Sequence, residues 1–429
     1  MRRLINFYLF KLDMVLSASN AIDGIIDKIE EKQMKILYNE FNDVINIISD
    51  FVVKKKLILY GGLVINLALP KKYRFYKDYT INDIDCYSVN PIKDSIELAK
   101  IIKSNKYKYV KIKKANHDGT FKIYVYGKQI FDITEISKVK YNTLLKYSNK
   151  KKTLKHYKDK YKIIPLEYMK QNLYFELARP EQSGWRWEKI YRRLNILNQV
   201  YPTSKINLKK KCMCNNDEHQ KVILKLINYI KQKKYPIIDS YPLKLYNKNA
   251  NYCYKLNKDS IYITILSNEY NKTKDDVFKM LKNNLKNNLK NNLYNISINH
   301  ENKSDHNTYP YYEISIINNE TKEKFNIIKI ILNKNECFSI NNKDGFVTGS
   351  IDTNLYFLYS EYIRNHILLK NTERAEENLY YINLYENYIE KTIKNDVKKR
   401  LKSECYGKVD EEDFIKRVWK QKLTIKYFS

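Results

Sequence analysis

Long hydrophobic runs are missing from this sequence, although 43% of its 429 residues are hydrophobic. No apolar stretch reaches the ~20 residues that a membrane span needs, and LINFYLFKL at residues 4–12 is too short and carries a charge. The start of the chain also lacks the charged, apolar and cleavage-site segments of a secretory signal. We therefore expect an intracellular protein with no membrane partner and with two or three globular domains.

Cysteine is also scarce. Six cysteines scattered over the chain do not form the dense framework of a disulfide-rich secreted domain, so we expect a reduced protein. Cys212 and Cys214, with His219 nearby, resemble half of a zinc site, but no second pair of ligands follows at a zinc-finger spacing. Metal binding by these three residues stays open.

Acidic residues are much fewer than basic ones: the chain has 48 Asp and Glu against 79 Lys and Arg, which gives a net charge of +31. That excess favours a polyanionic partner such as nucleic acid or nucleotide. An A+T-rich coding sequence is a second source of lysine, and it would also enrich Asn, Ile and Tyr. Only 11 of the 79 basic residues are arginine, so the arginines close to one another at 179–193 stand out.

This cluster contains four arginines next to two of the three tryptophans: Arg179, Arg186, Arg192 and Arg193. Arginine contacts phosphate through paired, planar hydrogen bonds that lysine cannot reproduce. Arg186 and Lys189 are three residues apart and share a face if the segment is helical. We predict that both contact the nucleotide or a phosphate. The alternative is a solvated helix face paired with Glu181 and Glu188.

Two aspartates interrupt the strand-like stretch NDIDCYS at residues 82–88. Successive side chains on a strand point to opposite faces, so Asp83 and Asp85 lie on the same face. Two like charges so close repel, and a divalent cation between them would relieve the repulsion. The alternative is a strand end whose aspartates meet solvent.

A third carboxylate and a glycine turn extend this pattern. Asp132 lies in the strand-like KQIFDITEI, and Glu135 points to the opposite face. Gly61 and Gly62 separate the strand-like LILY from a helix, a geometry that offers backbone N–H groups to phosphate. Each feature alone also occurs in ordinary structure. Together they suit nucleotidyl transfer, in which three carboxylates hold two cations and Mg²⁺ is the natural ion.

The stretches YGGLVIN, NDIDCYS, FDITEIS and ELARPEQSGWRWEKIYRRL resemble the poly(A) polymerase catalytic subunits of poxviruses and mimivirus-like giant viruses. These belong to the polymerase-β-like nucleotidyltransferase superfamily. The resemblance covers about residues 55–205. Two departures from the superfamily pattern are Leu63, where serine is common, and a long interval between Gly62 and Asp83.

The resemblance implies a role for each site residue. Gly61 and Gly62 would approach the triphosphate of ATP. Asp83 and Asp85 would hold two Mg²⁺ or Mn²⁺ ions, and Asp132 would hold the catalytic ion and orient the 3′-OH of the RNA.

The resemblance also implies an activity, partners and a location. The enzyme would be an ATP-dependent poly(A) polymerase that adds adenylates to RNA 3′ ends without a template. It would act in the host cytoplasm, in a viral factory, or in the virion. Viral relatives recruit a processivity subunit or self-associate, and we expect a homodimer with the apolar N-terminal segment as one contact. The alternatives are a nucleotidyltransferase for tRNA or a small substrate, a non-catalytic nucleic-acid-binding protein, and a structural partner subunit.

The second half repeats the order of strands and helices of the first half. KEKFNIIKI aligns with KQIFDITEI and places Asn326 where Asp132 stands. We predict an α+β protein, with a mixed sheet flanked by helices in each domain and RNA in a groove between the two domains. The predicted boundaries are an N-terminal helical segment (1–56), a catalytic nucleotidyltransferase domain (57–205), a helical linker (206–245), a degenerate nucleotidyltransferase-like domain (246–370) and C-terminal helices (371–429).

Overall fold

The computed structural model describes residues 2–78, 80–115, 119–148, 161–204, 217–246, 262–288, 293–301, 309–333, 336–393 and 396–409. These residues divide into two compact units, which are described in turn. None of the helices in these ranges is long and apolar enough to cross a membrane.

The first unit comprises residues 2–135 and 161–163 and is built on one mixed sheet. Its elements are α1 (Arg2–Lys55), β1 (Ile58–Tyr60), α2 (Gly61–Ala68), β2 (Ile84–Ser88), α3 (Pro91–Ser104), β3 (Val110–Lys114), β4 (Thr120–Val125), β5 (Lys128–Glu135) and β6 (Lys162–Ile163). The strands lie in the order β3-β4-β5-β2-β1-β6. β1 runs antiparallel to β2, whereas β2 runs parallel to β5.

Helix α3 forms the crossover between β2 and the β3–β5 hairpins and covers one face of the sheet. Pro91 suits the first helical turn because its fixed φ is already helical. Leu98 and Ile102, one helical turn apart, are fully buried, and α3 packs on β3 and β4. On the other face of β3 and β4, Lys111 is exposed, and Lys113, Lys122 and Tyr124 are half-buried.

The second unit comprises residues 136–148 and 164–409 within the described ranges, and it also contains a mixed sheet. Its elements are α4 (Lys138–Ser148), α5 (Leu166–Leu177), α6 (Pro180–Ser183), α7 (Trp187–Val200), α8 (Asp217–Lys233), β7 (Ile237–Ile238), α9 (Pro242–Tyr246), β8 (Ile263–Ser267), α10 (Tyr270–Asn288), β9 (Tyr294–Glu301), β10 (Tyr311–Asn318), β11 (Lys324–Leu332), β12 (Phe338–Lys343), β13 (Phe346–Gly349), α11 (Ile351–Ile363), α12 (Thr372–Tyr388), α13 (Val397–Arg400) and β14 (Cys405–Tyr406). The strand order is β14-β12-β13-β7-β8-β11-β10-β9.

The second sheet repeats the centre of the first. β7 is antiparallel to β8, and β8 is parallel to β11, as β1, β2 and β5 are in the first unit. The turn after the central strand also repeats: Ser88 donates a 2.5 Å hydrogen bond to Asp94, and Ser267 shares a 2.7 Å bond with Thr273. The predicted fold class, mixed sheets flanked by helices in two related units, is confirmed.

Strand pairing corrects the alignment of the third strand. The Cα partners across the three strands are Tyr60, Asp85 and Asp132 in the first unit and Ile238, Thr264 and Lys329 in the second. Lys329, and not Asn326, therefore stands at the position of Asp132. The sequence alignment was wrong by three residues because it matched Phe325 to Phe131. β11 is buried on both faces, so its near-continuous apolar run has no alternation that would fix the register.

Helices α5 to α7, which we predicted as part of the domain 57–205, group with the second unit. Helix α5 packs on α11: Gln171 donates a 2.7 Å hydrogen bond to Ser360. The rings of Tyr174 and Tyr359 stack with centroids 5.4 Å apart. These contacts join segments about 190 residues apart in the chain, which no local pattern reveals.

Two other features of the second unit differ from expectation. Helix α8 lies in the stretch 206–245 that we predicted as a linker, yet it contributes Leu226 and Ile230 to the core of the second unit. Cys337 and Cys405 form a disulfide, whereas we expected reduced cysteines. The two cysteines are 68 residues apart, and only the pairing of β12 with β14 brings them together.

Candidate active site

A glycine turn joins β1 to α2 at the edge of the candidate site. Gly61 has φ +80°, in the left-handed region that residues with a side chain rarely adopt. A Cβ atom built on Gly61 would lie 1.9 Å from Oδ2 of Asp85. Only glycine lets the backbone pass so close to this carboxylate. Helix α2 begins at Gly61, so the N–H groups that lack partners within the helix lie at this turn.

Three carboxylates converge beside this turn. Asp85 and Asp132 are direct partners on the parallel strands β2 and β5, and Asp83 immediately precedes β2. One carboxylate oxygen from each of the three lies within 4.8 Å of the other two. Glu135 is exposed at the end of β5 and does not belong to this group. The structure thus brings together the three acids that we selected from the sequence.

Two further residues contact the carboxylates. The Nζ atom of Lys122, on β4, lies 2.8 Å from Oδ2 of Asp132. The Gln129 amide donates to Asp83 at 3.0 Å and to Asp132 at 2.8 Å. Burial raises the pKa of Asp132, the Lys122 ammonium opposes that rise, and the charge of Asp83 adds to it. Burial is therefore the main cause of the rise, and the charge of Asp83 is a smaller one.

Lys122 and Gln129 were not predicted from the sequence. Simple alternation places Gln129, three residues from Asp132, on the opposite face, and the irregularity in the β4–β5 pairing brings it to the same face. Lys122 is the cross-strand partner of Asp132 in the β4–β5 hairpin. Such partners have Cβ atoms about 5 Å apart, so an opposite charge at this position was the available signal.

Uncharged side chains lie next to the carboxylates on β1 and β2. Tyr60 stacks on Tyr87 with ring centroids 4.0 Å apart and shares a 2.7 Å hydrogen bond with Thr134. Burial, followed by the charge of Asp85, raises the pKa of the Tyr60 hydroxyl and of the Cys86 thiol well above their usual values. Both groups therefore stay protonated, and the negative charge is confined to the aspartates.

Arg186 and Lys189 belong to the second unit. Arg186 ends a single 3₁₀ turn before α7, and its guanidinium lies 3.3 Å from the carboxylate of Glu176 and 5.5 Å from the ring of Trp185. Lys189 is exposed in the first turn of α7. The pair is adjacent in the fold, and its proposed contact with nucleotide stays a prediction.

Arg179, in the same cluster, has a structural role. It is buried, and its guanidinium contacts Glu336 at 3.1 Å and Glu176 at 3.6 Å while lying over the ring of Phe175. The expected partner Glu181 is exposed instead. Cys212 and Cys214 lie outside the described residues, as does the side chain of His219, so the zinc question stays open.

The position equivalent to the site in the second unit is occupied by an ion cluster. Lys329 is 2% exposed and is paired with Glu361, whose other oxygen lies 3.9 Å from Arg364. Asp239 follows β7 as Gly61 follows β1, with φ +76°. The surrounding small pocket is lined by Asp239, Ser240, Lys329, Glu361, Arg374, Glu377, Asn378 and Tyr381.

Burial and neighbouring charges shift the pKa values of three groups at this second position. Burial raises the pKa of Asp239 to about 7, and the charge of Glu361 adds to the rise. Burial lowers the pKa of Lys329. For Glu361, the surrounding cations Lys329, Arg364 and Arg374 outweigh burial and hold its pKa at about 2. Asp239, Glu361 and Glu377 line this pocket together with the cations Lys329 and Arg374, and among the described residues these three acids do not form a close group like that of Asp83, Asp85 and Asp132.

A family model described as poly(A) polymerase catalytic subunit matches residues 46–183. The resemblance seen in the sequence motifs is confirmed. A protein of Acanthamoeba polyphaga mimivirus, described as a poly(A) polymerase catalytic subunit, is 29% identical over 168 residues. The aligned residues are 37% of this chain and 26% of that protein. An African swine fever virus protein with the same description is 28% identical over 179 residues, 40% of this chain and 35% of that protein. The matched segment thus spans about a quarter to a third of these relatives.

A solved structure extends the likeness beyond the matched segment. The crystal structure of the Megavirus polyadenylate synthase aligns with 94% of this chain and 82% of its own, at a TM-score of 0.71 and 20% identity. Because the identity is only 20%, this likeness shows that the two proteins share a fold and nothing further. It includes the second unit, most of which lies beyond the segment that the family model matches.

Proposed function

We propose that this chain is a template-independent polynucleotide adenylyltransferase that transfers AMP from ATP to RNA 3′ ends. The observation that carries the proposal is the convergence of Asp83, Asp85 and Asp132 within 4.8 Å beside the Gly61 turn. The family match over residues 46–183 includes all three acids and supports the same function.

The carboxylates suit two divalent cations. Every candidate ligand atom is a hard oxygen, which Mg²⁺ and Mn²⁺ prefer, and the three acids stand together with one lysine, Lys122, paired to Asp132. Asp83 and Asp85 would hold both ions, and Asp132 would hold one. When bound, the cations would activate the attacking 3′-OH and stabilise charge on the phosphate.

The residues around the carboxylates would bind and orient the substrates. The N–H groups at the start of α2 lie at the turn of Gly61 and Gly62, where they would donate to triphosphate oxygens. Gln129 would fix the orientation of Asp83 and Asp132 through its two hydrogen bonds. Lys122 would stabilise negative charge beside Asp132. We also assign a phosphate contact to Arg186 and Lys189, which stand at the start of α7.

The test is an extension assay with a labelled oligo(A) primer, read on a sequencing gel. We expect a ladder of products with ATP plus Mg²⁺ or Mn²⁺, and a loss of products with EDTA. Extension of a tRNA acceptor end by one or a few nucleotides, with none on oligo(A), would favour the tRNA-directed alternative. RNA binding without incorporation from any nucleotide would favour a non-catalytic binding protein.

A homodimer is the partner that we propose beyond the substrates. Helix α1 exposes large apolar side chains, with exposed fractions between 43% and 58%: Ile22, Ile25, Ile26, Ile29, Ile36 and Leu37. Positions 22, 29 and 36 repeat every seven residues, the spacing of a coiled-coil seam. Light scattering on the protein and on an Ile25→Lys, Ile29→Lys variant tests this proposal. A wild-type mass of one chain would contradict it.

A further inference from the structure

Strands β3 and β4 have one buried face and one partly exposed face. Val110 pairs with Val125 and Ile112 pairs with Ile123, and all four side chains are buried. The intervening residues alternate to the opposite face. That opposite face, which we term the tyrosine–lysine face, consists of Lys111 and Lys113 on β3, Lys122 and Tyr124 on β4, Tyr109 immediately before β3 and Tyr126 immediately after β4.

The tyrosine–lysine face begins at the three carboxylates. Lys122 contacts Asp132, and the Tyr124 hydroxyl donates a 3.3 Å hydrogen bond to Gln129, which itself contacts two of the acids. The ammonium of Lys113 lies 4.9 Å from the centre of the Tyr124 ring. Tyr126 is four positions beyond Lys122, so the face extends about 13 Å from Lys122 along the hairpin.

Two aromatic rings stand open to solvent at the far end of the face. Tyr109 is 67% exposed and Tyr126 is 51% exposed, although their ring centroids are only 5.7 Å apart. The strands hold the rings together, because the Tyr126 N–H donates to the Tyr109 carbonyl at 2.9 Å. Tyr126 and Gly127 have φ +48° and +80°, as a tight type I′ hairpin turn requires. A rigid turn therefore presents the pair.

The charge around these rings is positive. Lys106, Lys108, Lys111 and Lys128 are exposed next to them in the sequence and on the paired strands. Across the part of the chain that the structure describes, none of these four lysines forms an ion pair with a carboxylate. Lysine is depleted at protein–protein interfaces, whereas lysine with exposed aromatic rings is the composition of single-strand nucleic-acid sites.

We propose that the tyrosine–lysine face binds the single-stranded RNA immediately upstream of its 3′ end, with bases stacked on Tyr109 and Tyr126 and phosphates on the lysines. The placement of the 3′ end at the carboxylates rests on the proposed function. Stacking on tyrosine suits a tail of any sequence, because every base has a flat face. The exposed lysines would add a salt-dependent contribution to the affinity.

The experiment measures binding of a fluorescent 15-nucleotide oligo(A) by anisotropy, without ATP. We expect the Tyr109→Ala, Tyr126→Ala variant to lose affinity by about tenfold or more, since stacking contributes substantially per base. The Tyr109→Phe, Tyr126→Phe variant keeps both rings and should stay within about threefold of wild type. Both tyrosines are largely exposed, so both variants should keep the wild-type melting temperature.

Lysine variants test the electrostatic part. Lys108→Ala, Lys111→Ala should weaken binding and reduce the slope of log Kd against log salt, by about 0.7 for each phosphate that the variant no longer neutralises. The Lys100→Ala, Lys103→Ala variant removes the same charge from the exposed side of α3; it is the matched control and should leave the slope unchanged. If the two lysine variants change the Kd and the salt slope equally, the lysines of this face act only as general surface charge, and the proposal is overturned.

The outcome is separable from that of the proposed function. If wild type extends no primer, the adenylyltransferase proposal fails while the binding comparison can still be made. If wild type extends primers but the Tyr109→Ala, Tyr126→Ala variant binds oligo(A) with unchanged Kd, the RNA path lies elsewhere and the proposal for this face is overturned.

Discussion

The two units share the same arrangement of three central strands, β1-β2-β5 in the first and β7-β8-β11 in the second, which we term the frame. The residues at its centre carry opposite charges in the two units. Asp132 in the first unit sits with two further acids, one lysine and one amide. Lys329 stands at that position in the second unit, buried and paired with Glu361. The first arrangement places three acids beside one lysine and could hold a cation, whereas the second contains several cations of its own. A cation site and a buried ion pair are thus two solutions to the same position.

The turn after the first strand of the frame also differs between the two units: it holds a glycine in the first unit and an aspartate in the second. Gly61 and Asp239 have nearly the same φ, +80° and +76°. Glycine leaves the backbone open beside Asp85. Asp239 adopts the less favourable left-handed conformation and fills the equivalent space with its own carboxylate, which accepts a weak 3.4 Å hydrogen bond from Thr264. The frame tolerates both, and the glycine turn is the one that has no side chain beside the neighbouring carboxylate.

The largest expected contrast concerns catalysis. Asp83→Asn, Asp85→Asn and Asp132→Asn should each lower primer extension by at least ~100-fold with the fold intact, because each removes a charged metal ligand. Glu135→Gln, three residues from Asp132 and exposed, is the matched control and should retain most activity. Initial rates with oligo(A) and ATP, with circular dichroism as a fold check, measure this. An inactive Glu135→Gln with an active Asp132→Asn would assign the third acid to Glu135.

The second contrast concerns stability. Lys329→Ala should cost about 3 kcal/mol or more, since it leaves the partly buried Glu361 without its main partner. Lys324→Ala, on the same strand, removes an exposed 3.8 Å ion pair with Glu313 and should cost under ~1 kcal/mol. Calorimetric unfolding of the two variants gives the comparison. Similar melting temperatures would mean that the cluster does not stabilise the second unit.

A smaller effect is expected in the pH dependence of stability. The pKa of Asp239 is about 7 in the folded protein, above its ordinary value of 3.8, so the folded state keeps a proton that the unfolded chain loses. Its contribution to stability is therefore full below about pH 4 and declines as the pH rises towards 7. Asn mimics the protonated form, so the stability gain of Asp239→Asn over wild type should be smaller at pH 5 than at pH 8.

The full shift corresponds to ~4 kcal/mol, and the partial exposure of Asp239 reduces the expected gain to about 1–2 kcal/mol. Thermal melts at both pH values measure it, with Asp275→Asn on the exposed side of α10 as control. Glu361, Lys329, Glu377 and Arg374 also contribute to the field at Asp239. Equal melting-temperature differences at pH 5 and pH 8 would show that Asp239 titrates normally.

The sequence predicted the frame and the three acids because their signals are local. Asp83 and Asp85 are two apart on one strand, and period-two alternation excluded Glu135. The positions of Lys122 and Gln129 depend on hairpin register, which is set by turn geometry and packing. The register of β11 could not be read from a matching phenylalanine. The packing of α5 on α11 and the disulfide of Cys337 with Cys405 depend on chain topology, which no local pattern carries.

The smallest expected effect tests whether the second frame takes part in the chemistry. Thr264 stands at the position of Asp85, is buried, and donates only the weak bond to Asp239. Thr264→Val keeps the shape of the side chain and removes the hydroxyl, so it should cost under about 1.5 kcal/mol of stability. Because no carboxylate stands there, primer extension should stay within about twofold of wild type, against the large loss in Asp85→Asn. Parallel rates and melts of the two variants make the comparison. A loss of extension in a stably folded Thr264→Val protein would mean that the second frame contributes to the reaction after all.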